Sequence, residues 1–168
     1  MNTIIREARL EDSSAIAAIL RALGWSEQIK RESFVDTQAR IAAYLERCER
    51  EKTHTILVAE REQEHNIRKV IGYTSDHWYP HLMRGNDGYV SELFVHPDAT
   101  GHGIGSLLLD SIKISALEHN CTRLLLMNGR TRESYARQFY AKRGWVELRD
   151  AAFFSLTLPA TQSARDAV

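Results

Sequence analysis

Apolar residues recur at helical spacing in several stretches of the chain. Ile16, Ile19, Leu20 and Leu23 follow a candidate cap at Asp12 or Ser13, and Gly24 stops the run. Phe34, Gln38, Ile41, Ala42 and Leu45 predict a second helix that closes near Glu49. Residues 103–119 predict a third, with Ile104, Leu107, Leu108, Ile112 and Leu117 as its apolar positions. Residues 132–143 predict a fourth, with Tyr135, Ala136, Phe139 and Tyr140 on one face. Strand-like runs lie at 4–6, 53–60, 69–77, 89–95 and 124–127, and a final pair is predicted at 145–148 and 153–158. The polar stretch 25–32 reads as a loop, and 61–66 as the turn of a hairpin. Residues 77–88, with one Pro and two Gly, read as a long connection. The predicted order is β-α-α-β-β-β-α-β-α-β-β: an α/β (α+β) fold with one mixed, mostly antiparallel sheet flanked by helices. A single domain is expected over residues 1–158, and the polar stretch 159–168 is expected to be a loose tail.

Composition narrows the class. The 168 residues carry 22 Lys+Arg against 22 Asp+Glu, a formal net charge of zero, with 43% hydrophobic and 26% charged residues. That is the make-up of a folded domain that needs no disulfide or metal to close its core. Neutrality argues against nucleic-acid binding through a broad positive field but permits a local anion site. Cys48 and Cys121 are too few for a disulfide framework, so a reducing compartment is expected. No run reaches the roughly 18–20 apolar residues of a membrane span, and the first residues lack the apolar core of a signal peptide. The expectation is a cytoplasmic protein with no membrane and no nucleic-acid partner.

The chemistry concentrates in residues 92–106, ELFVHPDATGHGIGS, where a strand ends, a proline turn follows and Gly101, Gly103 and Gly105 precede an apolar helix. Glycines expose successive backbone N–H groups, and the new helix adds its positive dipole end, so the turn suits a pyrophosphate. A Walker A loop would need Gly-Lys-Ser/Thr, and there is no lysine here. A dinucleotide fingerprint would place Ser106 at its third glycine, and hairpins are expected to flank the strand in place of a βαβ unit. A plain strand-to-helix turn is the bland reading. The pair His77-x-x-x-His81 has metal-like spacing, but Pro80 disfavours the helix and no third ligand follows nearby, so no metal is expected.

Residues 90–105, followed by Asn128 and the run Ser134-Tyr-Ala-Arg-Gln-Phe-Tyr-Ala-Lys-Arg-Gly-Trp145, closely resemble the GNAT superfamily of acyl-CoA-dependent N-acetyltransferases. The first part is similar to its Arg/Gln-x-x-Gly-x-Gly/Ala pyrophosphate motif after a strand ending in Val-x-Pro. The second is similar to its helix ending in Phe/Leu-Tyr-x-x-x-Gly-Phe. Two positions depart from the pattern. Thr100 stands at the usual Arg or Gln, and Glu133 at a frequent Asn, for which Asn128 and Ser134 are polar substitutes.

The resemblance implies acetyl-CoA as co-substrate and a primary amine, on a small molecule or a peptide, as acceptor. It implies that Phe94, Val95 and His96 pair with the amide arm of coenzyme A, with the Val95 N–H polarising the thioester carbonyl. Gly101, His102, Gly103, Ile104, Gly105 and Ser106 would hold the pyrophosphate. Tyr140 would assist the departing thiolate. Glu92 is the candidate base, with His96 and His102 as alternatives. The acceptor pocket falls in 25–34 and 73–87, with Trp25, Asp76, Trp78 and Tyr79 as its candidate lining, together with His77 and Asp87. A homodimer accords with family habit. A non-catalytic acyl-CoA-binding module is the rival reading, and a nucleotide-binding protein a third.

Overall fold

The computed structural model describes residues 2–52 and 54–158 and divides into two compact units, Met1–Met127 and Asn128–Val168. The first unit holds the sheet. Strands β1 (Thr3–Glu7), β2 (His54–Glu62), β3 (Arg68–His81), β4 (Gly85–Val95) and β5 (Cys121–Leu126) lie in that spatial order. The first four pair antiparallel, and β4 with β5 is the parallel pair. The fold class read from the sequence, a mixed and mostly antiparallel sheet flanked by helices, is the one observed.

Helices α1 (Ser13–Leu23) and α3 (Phe34–Glu51) cover one face, and α4 (Ile104–Glu118) covers the other. Strand alternation divides β2 between them: Val58 joins Ile16, Ala17, Ile19, Ile41, Leu45 and Tyr73, while Leu57 and Ala59 join Ile71, Ile104 and Leu108. Gly24 takes the left-handed conformation (φ 65°) that ends α1. At Gly72 a Cβ would sit 3.0 Å from the Phe94 carbonyl oxygen and 3.3 Å from Ile104, so the bare backbone lets α4 close onto the sheet. No helix among the described residues is long and apolar enough to cross a membrane.

Five expectations are corrected. Residues 25–32 are not all loop: α2 (Glu27–Arg31) forms there, capped by Ser26, whose hydroxyl accepts the Ile29 N–H at 3.3 Å. Residues 77–88 are not a long connection but the end of a hairpin, with β3 running through Pro80 to His81. Pro80 is tolerated because β2 pairs β3 only as far as His77, so no partner there needs its missing N–H. The strand before the glycines does belong to a βαβ unit, since α4 connects β4 to parallel β5.

The last two corrections fall in the second unit. The predicted helix over 132–143 is broken. Its α-helical part is α5 (Glu133–Ala136), Gln138 adopts φ 55°, and a 3-10 turn covers Ala141–Arg143. No strand forms over 145–158, where Phe153, Phe154, Leu156 and Leu158 are exposed. Strands acquire their hydrogen bonds from a neighbour, and β-rich composition alone does not supply one. The expected tail, 159–168, lies outside the described residues.

Candidate active site

The pairing of β4 with β5 runs from Asn86 to Val90 and stops there, while pairing with β3 continues to Val95. Ser91–Val95 is therefore an edge with β3 on one side only. The His96 N–H donates to the Ile71 carbonyl at 2.8 Å. Because successive N–H groups along a strand alternate in direction, Leu93 and Val95 direct theirs away from β3, into the gap. Such an edge can pair with the amides of an extended ligand as another strand would. The sequence reading singled out Val95; Leu93 escaped it, because the direction of an N–H follows from register.

The chain leaves this edge through a short turn. The His96 ring Nδ1 accepts the Asp98 N–H at 3.2 Å, and the Thr100 hydroxyl donates back to the Pro97 carbonyl at 2.8 Å. Gly101 (φ 79°) and Gly103 (φ 77°) both need the left-handed region, and Gly103 caps α4. Ile104 and Gly105 open the helix, so their N–H groups have no helical carbonyl to bond and point out of its N-terminus. Residues 101–103 are exposed, His102 turns its Nδ1 to the Thr100 carbonyl at 2.8 Å, and Ser106 is half-buried. Thr100 thus shapes the loop, in place of extending a longer side chain toward a phosphate.

Two carboxylates flank a bulge in β4. The register with β3 steps from Glu92 opposite Ser75 to Val90 opposite Asp76, leaving Ser91 as the extra residue. Glu92, half-buried, accepts the Tyr73 phenol hydrogen at 2.8 Å. Ser91 donates to the Ser75 carbonyl at 3.0 Å and lies 2.9 Å from His77 Nε2. Tyr73, Ser75 and His77 share one face of β3, so the bulge brings the consecutive side chains of Ser91 and Glu92 to that same face. Burial, together with the positive charge that His54 can carry, lowers the pKa of His77, whose ring lies 4.2 Å from that of His54. His77 is therefore neutral at pH 7.

Asp76 projects to the opposite face and has no exposed surface. Burial pushes its carboxyl up to about 8, against the pull of the Thr74 hydrogen bond. The Thr74 hydroxyl lies 2.8 Å from the Glu92 carbonyl and 3.1 Å from Asp76 Oδ1 but has one hydrogen. That hydrogen is shared between the two acceptors, with the shorter arm to the Glu92 carbonyl.

The remaining candidate lining residues separate. Trp25, exposed after α1, packs edge-on against Phe94 at 5.3 Å, and Phe94 against Tyr73 at 5.8 Å, so Trp25 stands on the Glu92 side. Trp78 stacks on His119 at 4.6 Å and donates its indole N–H to Thr55 at 2.8 Å. It covers Gly88, where a Cβ would lie 2.7 Å from its ring. Tyr79 packs beside His81 (5.8 Å), and fully buried Asp87 is ion-paired with Arg123. Trp78 thus lies with Asp76 on the α4 face, whereas Tyr79 and Asp87 share the face of His77 and Glu92 but sit farther along the hairpin, toward its turn.

In the second unit Tyr140 is half-buried, edge-on to Phe139 (5.0 Å) and Trp145 (6.1 Å). Burial raises its pKa, with the Arg137 charge acting the other way. The Ser134 hydroxyl donates to Asn128 Oδ1 at 2.9 Å, so these two substitutes are partners of each other.

An open strand edge, a glycine turn at a helix N-terminus and a bulge bearing a carboxylate come together along β4 and its exit into α4. Residues 19–145 match the family model described as acetyltransferase (GNAT) family, and the chain belongs to that family. Solved structures of similar fold include a transcriptional regulator from Bacillus halodurans C-125 (21% identity, 92% of this chain and 100% of that one, TM-score 0.74). A ribosomal-protein-alanine N-acetyltransferase from Brucella melitensis biovar Abortus 2308 is another (20%, 94% and 100%, TM-score 0.67). A third is glucosamine-6-phosphate N-acetyltransferase from Arabidopsis thaliana (16%, 96% and 100%, TM-score 0.69). At these identities the likeness carries the fold. A comparison with curated proteins returns no significant match.

Proposed function

We propose that the protein is an N-acetyltransferase that uses acetyl-CoA to acylate a primary amine of a small molecule or a protein residue. The observation that carries this reading is the free edge of β4 beyond Val90, continuous with the glycine turn and the N-terminus of α4. The donors fit the co-substrate. N–H groups of Leu93 and Val95 suit an amide-bearing arm, and those around Gly103 suit a pyrophosphate without any basic side chain. When bound, acetyl-CoA would supply the acyl group as an activated thioester.

In this reading the Val95 N–H, with Leu93 beside it, donates to the developing oxyanion. Glu92 takes the amine proton, and its hydrogen bond from Tyr73 keeps one carboxylate oxygen fixed while the other faces the acceptor. Tyr140 keeps the role that the resemblance assigns, a hydrogen bond to the departing sulfur. A phenol pushed above its usual value is a weaker acid than a thiol near ~8.5, so the bond assists departure and full proton transfer follows it. Acceptor contacts are assigned to Trp25 and the Glu92 face. We further propose that residues 1–158 act as one catalytic domain in the cytoplasm.

Calorimetry with acetyl-CoA, coenzyme A, ATP and NAD, followed by an amine panel with thiol detection, tests the reading. Binding of acetyl-CoA with turnover of an amine is expected. Binding without turnover of any amine would favour a non-catalytic acyl-CoA module, and no coenzyme A binding at millimolar levels would overturn both.

A further inference from the structure

We infer that Ser91 is a second contact for the acceptor amine, seating it beside Glu92, and that His77 and Tyr73 are the positioning residues for this pair. The inference rests on the acetyltransferase reading and adds what the bulge does within it. In a regular strand Ser91 and Glu92 would point to opposite faces; the extra residue at the bulge brings both to the face that carries Tyr73 and His77. Each side chain is then fixed by its own partner, Glu92 by the Tyr73 phenol at 2.8 Å and Ser91 by the His77 ring at 2.9 Å.

Hydrogen counting defines what Ser91 offers. Its one hydroxyl hydrogen goes to the Ser75 carbonyl at 3.0 Å. The 2.9 Å contact with His77 is then a bond donated by Nε2–H, which fixes the ring tautomer. A serine oxygen has two lone pairs, and the one left over is an acceptor on an exposed residue. An incoming ammonium group has several N–H donors and meets a carboxylate and a hydroxyl oxygen side by side. The Leu93 N–H lies immediately beyond, so amine seat and thioester donor belong to one five-residue edge, Ser91 to Val95. His54, packed against the His77 ring, limits its rotation.

The test uses the full chain, acetyl-CoA and the best amine from the panel. Ser91→Ala is expected to raise the KM for the amine tenfold or more, with kcat falling by less and the acetyl-CoA Kd within twofold of wild type. His77→Leu should reproduce that KM rise, whereas His77→Gln, whose amide N–H can replace Nε2–H, should restore at least half of the wild-type amine affinity. Wild-type turnover with an unchanged KM in Ser91→Ala overturns this inference alone, as does equal behaviour of the two His77 variants. Failure of the wild type to bind acetyl-CoA or acetylate any amine overturns the parent reading and this inference with it. The acetyl-CoA Kd also reports whether each variant is folded.

Discussion

Glu92 and Asp76 are carboxylates on neighbouring strands, separated by the thickness of one sheet and little else. Glu92 faces the α1 and α3 side near an exposed tryptophan and receives a phenol hydrogen bond. Asp76 faces α4, is sealed from solvent, has no ion-pair partner among the described residues, and its carboxyl is pushed up to about 8. Composition cannot distinguish them, since both are acids in β-rich runs. Position decides: a proton acceptor must reach both substrate and water, and a dry carboxyl instead holds its proton more tightly. The two faces also meet in one chain of atoms, because the Thr74 hydroxyl donates both to Asp76 and to the Glu92 carbonyl at the bulge.

The largest expected effect falls on the Glu92 side. Glu92→Gln should lower kcat/KM about 100-fold or more while acetyl-CoA affinity, read by calorimetry, stays near wild type. Next, Asp76→Asn should leave turnover largely intact and change the pH dependence of stability. The sign follows from the raised pKa. The folded state holds a proton that the unfolded chain releases above about 4, so this group's contribution is full below pH 4 and is lost as pH rises through about 8. The loss is on the order of 5 kcal/mol across that window. The variant should lack that slope and melt above wild type at pH 8, with the gap shrinking toward pH 5 in a thermal melt. Comparable losses of activity in the Asp76 and Glu92 variants would erase the contrast between the faces.

Smaller effects sharpen the comparison. Gly88→Ala places a methyl 2.6 Å from Leu124 and 2.7 Å from the Trp78 ring, and should cost about 1–3 kcal/mol in denaturant unfolding without altering the amine KM. Gly103→Ala meets nothing within 4 Å but is held at φ 77°. Forcing an alanine there should cost about 1–2 kcal/mol, read as a roughly tenfold weaker acetyl-CoA Kd. Tyr140→Phe should lower turnover well over tenfold; full activity in that variant would remove Tyr140 from the reaction.

Much of this was legible in the chain, for definite reasons. Ile16, Ile19 and Leu23, or Ile41 and Leu45, announce helices because 3.6-residue spacing is local. Gly101 and Gly103 announce the turn because few other residues accept their conformation. What escaped depends on partners distant in sequence. The bulge at Ser91 exists only in register with Ser75 and Asp76, and it gives that serine its direction. The parallel pairing of β4 with β5 and its end at Val90, which opens the edge at Leu93, follow from tertiary packing. The face of Asp76 and the stacking of Trp78 on His119 are likewise settled by neighbours more than ten residues away. The α2 turn was hidden by its polar composition, although Ser26 and Ile29 carry its cap and its buried contact.

The claim on which the account rests is that the free edge of β4 receives acetyl-CoA, and amide hydrogen exchange resolved by residue measures it directly. On saturation with acetyl-CoA, the Leu93 and Val95 amides should slow tenfold or more, while Phe94, already paired with β3, changes little. Unchanged exchange at Leu93 and Val95 in protein shown by calorimetry to be saturated would contradict the account.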